Sequence, residues 1–258
     1  MGVGDEILAA GQAQRLFEAD PWDRIVRIYD THDRHRWHDI WDGNPIIAPP
    51  GDTRPFQKLV NAKYARPYIV YPFTAETGWT FNRAFHARDH IARIYLTEAE
   101  VELGYQVLAQ TGPYVLIEPY SKHGNLRWPM ASWQQLIDRR TDLTFVQHIH
   151  EDSQVLDGVL PVRATFREAC GLVASSRLYV RGESGMCHAT AALGRPQVTI
   201  WGGCMEWDVL GGYPGQLGLL RPPYCGSYQP CPHCQAAMAS ITVPEVSAAI
   251  DTALVGVP

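Results

Sequence analysis

One segment in the second half of the chain constrains the fold more than any other, residues 178–203 with the sequence LYVRGESGMCHATAALGRPQVTIWGG. An apolar run ends at Gly182, small residues with helical spacing follow from Gly185, and a second apolar run begins at Gln197. A strand, a helix and a strand with short connections are typical of a parallel βαβ unit. The segment therefore predicts an α/β fold with a parallel sheet.

The same alternation extends over the rest of the second half. Strand-like apolar runs begin at Tyr114 and Leu143, and helix-like stretches follow them. Before residue 113 the pattern is less regular, and residues 110–113, QTGP, have the composition of a linker. We therefore expect two Rossmann-like domains, a reduced one over residues 1–112 and a better defined one over residues 113–258.

Composition excludes several classes of protein. Hydrophobic residues make up 46% and charged residues 19% of the 258 residues, a globular balance that excludes disordered and collagen-like chains. No apolar run approaches the roughly 18 residues that cross a bilayer. Residues 1–6 lack the basic and apolar stretches of a signal peptide. These features predict a cytoplasmic protein without a transmembrane segment.

The turn Glu183-Ser184-Gly185 is the first candidate binding site. Backbone N–H groups at a helix start are unpaired and the helix dipole is positive there, so the turn suits a diphosphate. Glu183 at the strand end is placed to bind sugar hydroxyls, and His188 follows one turn into the helix. A packing glycine behind an N-cap serine is the structural alternative, and the residues alone support both equally.

Residues 182–196, GESGMCHATAALGRP, closely resemble the donor-site motif of glycosyltransferase family 9, the heptosyltransferase-like proteins. That motif runs like N-D-S-G-x-x-H-x-A-A-A-L-G-x-P, so Glu183 stands where the family usually has Asp. The resemblance implies a two-domain GT-B fold, and the longer side chain leaves the identity of the sugar open. The donor-binding residues that it implies are Glu183, Ser184, Gly185, Met186 and His188.

Two further segments are similar to the same family. Residues 114–137 resemble its strand–loop–K-x-W-P–helix block, which implies that Arg127 or Lys122 holds the donor's phosphates. A solvated basic loop is the alternative. Residues 2–8, GVGDEIL, resemble its entry into the first helix, which implies that Asp5 is the general base. An N-cap role for Asp5, before a helix that starts at Glu6, is the alternative there.

The resemblance does not extend over residues 24–112, where an acceptor would bind. Within residues 53–95, seven basic residues stand against two acidic ones, and aromatic residues are interleaved with them. Such a pattern suits phosphate contacts and ring stacking, so we expect an anionic acceptor, either a phosphorylated glycan or DNA with hydroxymethylated bases. An arginine-rich surface over an aromatic core is the alternative. The acceptor-side candidates are Arg54, Lys58, Arg83 and Arg88.

A loop rich in proline and glycine near the C-terminal end is the last candidate site. It contains Cys225, Cys231, His233 and Cys234. Its C-x-x-C spacing is that of zinc ligands, but a single such pair favours free thiols, and a redox-dependent disulfide is a third alternative. His148 and His150 alternate after a strand without a partner motif, so no metal site is expected there.

Together the motifs predict an inverting, metal-independent glycosyltransferase that uses a nucleotide-diphosphate sugar and requires no cofactor. Asp5 would take the proton of the attacking hydroxyl, while the helix start with Arg127 or Lys122 would stabilise the departing diphosphate. Glu183 would orient the sugar, and His188 would contact the nucleotide side. The alternative is a non-catalytic protein of the same fold that binds a nucleotide sugar, or a zinc-stabilised interaction module.

Overall fold

A computed structural model describes residues 2–20, 22–74 and 78–255. Its helices are α1 (Val3–Ala19), α2 (Glu98–Thr111), α3 (Met130–Arg139), α4 (Phe166–Ser175), α5 (Gly185–Ala192), α6 (Trp207–Leu210), α7 (Pro232–Ala239) and α8 (Val243–Val255). Its strands are β1 (Ile25–Tyr29), β2 (Phe56–Val60), β3 (Ile69–Val70), β4 (Thr80–Phe81), β5 (Val115–Glu118), β6 (Phe145–Ile149), β7 (Leu160–Arg163), β8 (Leu178–Gly182), β9 (Gln197–Trp201) and β10 (Gln216–Leu220).

A six-stranded parallel sheet forms the centre of the second half, which confirms the α/β class. Its strand order is β10-β9-β8-β5-β6-β7, and Val115 of β5 pairs with both Phe145 of β6 and Leu178 of β8. From β5 the chain continues to β6 and β7 on one side of the sheet, and from β8 it continues to β9 and β10 on the other side. The strand order therefore reverses between β5 and β8. Open α/β sheets bind their ligands outside the carboxyl ends of the strands at such a point.

Alternate residues of the central strands fill two apolar cores. Ile117 and Val180 belong to a core that contains residues of α3 and α8. Leu116 and Val146 face the opposite side, where the core also contains Ile7 of α1 and residues of β1 and α4. The segment before residue 112 therefore shares its largest core with the central sheet.

The sheets before residue 112 are small. Strand β1 pairs in parallel with β2 from Ile25–Phe56 to Tyr29–Val60, and β3 pairs with β4 through only two residues each. Strand β2 was not expected from the sequence. Helix α1 begins at Val3 with Gly2 as its N-cap residue, so Asp5 occupies the third helical position. The prediction of a helix from Glu6 with Asp5 as its N-cap was wrong.

The chain turns at the predicted linker, where α2 ends and Gly112 has a φ of +70°. Helix α2 nevertheless packs on α4, across that point. A Cβ atom on Gly104 would lie 2.4 Å from the carbonyl oxygen of Gly171, so the two helices touch through glycine. The division at residue 112 stays a prediction.

In the described part of the chain, no helix by itself has the length and apolar character to cross a membrane. Helices α7 and α8 meet those criteria as a pair, with a 63° bend between them.

Candidate functional site

The β8–α5 turn lies at the carboxyl edge of the sheet, where the strand order reverses. Ser184 is the N-cap residue of α5, and its side-chain oxygen accepts a hydrogen bond of 3.1 Å from the backbone N–H of Met186. The side chain of Met186 is buried in the core beside α4, with its sulfur 4.0 Å from that of Cys170. Met186, a predicted donor-binding residue, therefore takes part in this turn through its backbone N–H, while its side chain packs in the core.

Helix α1 brings a second helix N-terminus to the same place. A Cβ atom on Gly4 would lie 2.8 Å from the Cα of Gly185, and one on Gly185 would lie 2.8 Å from the amide nitrogen of Gly4. A side chain at either position would force the two helix starts apart. Glycine at both positions allows α1 and α5 to begin in direct contact.

These two helix starts border one cavity of about 330 Å³. Five of the predicted site residues line it, namely Asp5, Glu183, Ser184, Gly185 and His188. The cavity is at the lower end of the size range of small-molecule sites. The structure thus joins the general base implied at the start of the chain to the donor motif of the second half.

Asp5 is held by three donors. Its carboxylate accepts hydrogen bonds from the backbone N–H of Gly2 at 2.9 Å and from Nη1 of Arg66 at 3.2 and 3.3 Å, as well as one from the hydroxyl of Tyr68. Arg66 and Tyr68 also line the cavity. The motifs gave no role to either residue, although Arg66 belongs to the basic stretch.

Glu183 is buried without a partner. Its side chain is 8% exposed, and it forms no hydrogen bond or ion pair with any residue that the structure describes. Burial raises the pKa of Glu183 to about 7, the charge of Asp5 adds to this, and Arg181 opposes it. A carboxyl group of this kind is available to a ligand hydroxyl.

His188 is neutral around pH 7. Burial lowers the pKa of His188 to about 4, against the opposing charge of Asp5. Its Nδ1 atom lies 2.7 Å from the hydroxyl of Tyr213, which fixes the ring beside the cavity. His188 can therefore serve as a neutral hydrogen-bonding group but not as a cation.

The two predicted phosphate-binding cations lie outside this cavity. Arg127 lines a neighbouring cavity of about 180 Å³, where its guanidinium lies 4.7 Å from the ring centre of Tyr120. Lys122 is exposed in the same loop. Two other residues of the loop, His123 and Leu126, line the Asp5 cavity instead. The loop therefore borders both cavities.

The four acceptor-side candidates are paired with carboxylates away from the cavity. The pairs are Arg54 with Asp52 at 2.6 Å, Lys58 with Asp33, Arg83 with Glu206 at 2.9 Å and Arg88 with Asp208 at 3.9 Å. None of the four cations lines the cavity. The excess of positive charge in residues 53–95 is therefore offset by acidic residues, and all four of these partners lie outside that range.

Glu118 at the end of β5 is the centre of a buried cluster. It accepts hydrogen bonds from Arg181 and Tyr179, both at 2.5 Å, and its Oε1 atom lies 2.7 Å from Nε2 of His150. His148 Nδ1 is 3.5 Å away. The ligand atoms of Glu118, His148 and His150 are close enough together to hold a metal ion. The sequence around the two histidines did not indicate Glu118 as their partner. Since Arg181 already neutralises Glu118, the cluster is explained without an ion.

The C-terminal loop does bring metal-ligand atoms together. The ligand atoms of Cys225, Cys231, His233 and Cys234 all lie within 4.8 Å of one another, and the Cys225 sulfur is 3.9 Å from that of Cys231 and 3.2 Å from that of Cys234. Ligand bonds of about 2.3 Å in a tetrahedron give similar separations between sulfurs. Three thiols and an imidazole therefore fit zinc or iron.

Comparisons with known proteins agree with the motifs. The profile of glycosyltransferase family 9 (heptosyltransferase) matches residues 85–206. Lipopolysaccharide heptosyltransferase 1 of Salmonella typhimurium is 28% identical over 129 residues, which cover 44% of this chain and 40% of that protein. This chain thus matches less than half the length of that relative.

Two solved structures superpose on almost the whole chain. A family 9 glycosyltransferase from Veillonella parvula has a TM-score of 0.68 at 16% identity, covering 99% of this chain and 95% of that one. The iron-containing dodecameric glycosyltransferase TibC of enterotoxigenic E. coli has a TM-score of 0.65 at 14% identity, covering 98% and 73%. The profile match confirms the resemblance to glycosyltransferase family 9, and the two structures confirm the α/β fold.

Proposed function

From this resemblance we propose that the protein is an inverting glycosyltransferase, which moves a sugar from a nucleotide-diphosphate sugar to an acceptor hydroxyl. The observation that carries the proposal is the shared cavity. Asp5 and the Glu183-Ser184-Gly185 turn lie about 180 residues apart in the chain, yet they line the same space. A base and a donor-binding turn must be neighbours for such a transfer.

The proposed reaction is a single displacement. The acceptor oxygen attacks the anomeric carbon and gives its proton to Asp5, while the bond from that carbon to the diphosphate oxygen breaks on the opposite side. Attack opposite the leaving group inverts the anomeric carbon. Glu183, which is unpartnered, hydrogen-bonds a hydroxyl of the transferred sugar, and His188 contacts the nucleotide side.

Charge on the leaving diphosphate is proposed to be stabilised by the helix starts. The N-termini of α1 and α5 both carry unpaired backbone N–H groups and positive dipole ends. Arg127 and Lys122 do not line the cavity, but the loop that carries them borders it, and we propose that they add positive charge near the diphosphate. This scheme places no metal ion at the diphosphate.

ADP-heptose is the first donor to test. The curated relative is named as a heptosyltransferase, and one structure of TibC is a complex with ADP-D-beta-D-heptose. For the acceptor we favour a glycan hydroxyl over a DNA base. Arg54, Lys58, Arg83 and Arg88 are held by carboxylates, which weakens the case for a nucleic-acid track.

A metal bound by Cys225, Cys231, His233 and Cys234 would have a structural role in this scheme. The loop touches the cavity wall, since the Trp79 N–H donates to the Gly226 carbonyl at 2.7 Å and Asn125 donates to the carbonyl of Gln229 at 2.8 Å. When bound, the metal would cross-link the loop at this position. The chemistry itself requires no cofactor.

A paired measurement of binding and transfer tests the proposal. Purified protein is screened by thermal shift against ADP-heptose and UDP-, GDP-, CMP- and dTDP-sugars, with and without EDTA. A donor at about 100 times its Kd stabilises the fold by about 2.7 kcal/mol. The Asp5→Asn variant should keep this shift and lose transfer by about 100-fold or more.

Asp52→Asn is the matched control, because Asp52 pairs with Arg54 outside the cavity. It should transfer at the wild-type rate. Transfer by Asp5→Asn at that rate would remove Asp5 from the mechanism. A donor shift without transfer to any acceptor would favour the non-catalytic binding protein, and no shift with any donor would contradict the donor site.

A further inference from the structure

We propose that Tyr68 and Arg66 are positioning residues for Asp5, fixing its carboxylate in one orientation so that it takes a proton from one direction. This inference rests on the proposed function, because it assumes that Asp5 acts as the base. Residues 66–71 lie outside the segment that the family profile matches. Their role is inferred here from contacts alone.

The contacts occupy most of the hydrogen-bonding capacity of Asp5. An ionised carboxylate offers about four lone-pair sites. The Tyr68 hydroxyl and the Gly2 N–H take one oxygen each, and Nη1 of Arg66 lies between both oxygens at 3.2 and 3.3 Å. The three donors therefore make four contacts, two on each oxygen, and these contacts fix the orientation of the carboxylate.

Tyr68 is itself rigidly placed. Its side chain is 3% exposed, its ring lies 5.6 Å from that of Phe85, and its backbone carbonyl accepts a hydrogen bond of 3.0 Å from Asn82. Burial and the neighbouring charge of Asp5 raise the pKa of Tyr68 well above 10. The phenol therefore stays protonated and remains a donor to Asp5 throughout the working pH range.

Arg66 is anchored from its other end. Its Nε donates to the Tyr71 hydroxyl at 2.7 Å, and that hydroxyl donates to the Lys63 carbonyl at 2.5 Å. The guanidinium is thus held between a fixed phenol and Asp5. A lysine at this position has the charge but lacks the planar fork that reaches both partners.

Other ionisable groups also face Asp5 and must be separated from Tyr68 in any test. Glu6 is its neighbour on α1, and Glu183 and His188 approach from the β8–α5 turn. All three remain in a Tyr68→Phe variant, so a difference between the variant and the wild type isolates the lost hydroxyl. Tyr105→Phe is the matched control, because Tyr105 is exposed on α2 and does not line the cavity that contains Asp5.

The first measurement separates an effect on turnover (kcat) from an effect on donor binding (KM). In Tyr68→Phe we expect kcat to fall about 10- to 100-fold, while KM for the donor changes by less than about twofold, since a misplaced base affects the chemical step. In Tyr105→Phe we expect kcat to fall by less than about threefold. Arg66→Lys should show an intermediate loss of kcat. A general loss of structure would instead lower donor binding and thermal stability together.

The second readout does not need transfer activity. The carboxyl carbon of Asp5 is followed by ¹³C NMR at one fixed pH and assigned by its absence in Asp5→Asn. Loss of the Tyr68 donor should change the chemical shift of this carbon in Tyr68→Phe and leave it unchanged in Tyr105→Phe.

The outcomes distinguish this inference from the proposed function. Absence of transfer in the wild type would overturn the proposed function, while the NMR measurement would still test the contacts to Asp5. If Asp5→Asn abolishes transfer but Tyr68→Phe keeps the wild-type kcat and carboxyl chemical shift, the positioning role is wrong and the general base stands.

Discussion

Two neighbouring strand ends carry buried carboxyl groups with opposite behaviour. Glu118 ends β5 and is 5% exposed, and Glu183 follows β8 and is 8% exposed. Burial alone would raise the pKa of Glu118, but the charge of Arg181, the hydrogen bond with His150 and the nearby His148 outweigh it and hold that pKa well below the usual value. Burial raises the pKa of Glu183 to about 7. The charged and hydrogen-bonding partners of a buried carboxyl group, rather than the extent of its burial, therefore decide its charge.

The difference separates a structural site from a binding site. Arg181, Tyr179 and His150 satisfy Glu118, so a ligand would have to displace them. Glu183 has no such partners among the described residues, and it lines the cavity. An unsatisfied buried carboxyl group costs stability, which is the kind of cost found at functional sites.

The largest effect expected from this comparison is on stability. Glu118→Gln leaves the Arg181 guanidinium buried without its counter-charge, and should lower the free energy of unfolding by about 3–5 kcal/mol. The matched control is Glu183→Gln, measured by urea unfolding at pH 5, where Glu183 is protonated in the folded state. It should change stability by less than about 1 kcal/mol. Similar losses in the two variants would contradict the comparison.

A second prediction concerns pH. Because the pKa of Glu183 is about 7 in the folded state and 4.5 is its ordinary value, the folded state binds more protons between these limits. The stability contributed by protonated Glu183 is therefore complete below pH 4.5 and lost as pH rises through about 7, a change of about 3 kcal/mol. Glu118 has the opposite sign, and its contribution is lost as pH falls below 4.5.

Urea unfolding of wild type and Glu183→Gln from pH 5 to 8 isolates the Glu183 contribution. Glu6, whose pKa is also raised by burial, is common to both proteins and cancels in the difference. The wild type should lose stability relative to the variant as pH rises. A difference that stays constant with pH would show that Glu183 has an ordinary pKa.

The smallest expected effect tests how the partners of Glu118 share its stabilisation. Tyr179→Phe removes one hydrogen bond to a charged acceptor but leaves Arg181 and His150 in place. The free energy of unfolding should fall by about 1.5 kcal/mol in the same urea titration. A loss as large as that of Glu118→Gln would make the tyrosine, rather than the arginine, the main partner.

Local signals made the second half predictable. Apolar runs and the small residues after Gly185 define β8, α5 and β9 without reference to distant residues. The donor-motif residues that share the cavity, such as Glu183 and His188, were found because they occupy one short segment. Cys225, Cys231, His233 and Cys234 are likewise within ten residues, so their approach could be anticipated.

Contacts between distant residues were not predictable. Arg66 and Tyr68 meet Asp5 across 61 and 63 residues, and they lie just before β3, a strand of two residues that gives no sign of its distant partner. Arg83 is neutralised by Glu206, 123 residues away. Charge counted along the sequence therefore exaggerated the positive field of residues 53–95, because its counter-charges come partly from elsewhere in the chain.

The glycine contact between the first helix and α5 has a consequence for folding. About 180 residues separate Gly4 from Gly185, and closing so long a loop is slow compared with forming either helix. The cavity is therefore completed by one of the least local contacts in the chain. Any fragment that ends before Gly185 lacks the part of the cavity wall formed by Gly185, His188, Met205 and Leu210. Ligand binding at this cavity therefore reports a chain in which the first helix has met residues as distant as Leu210.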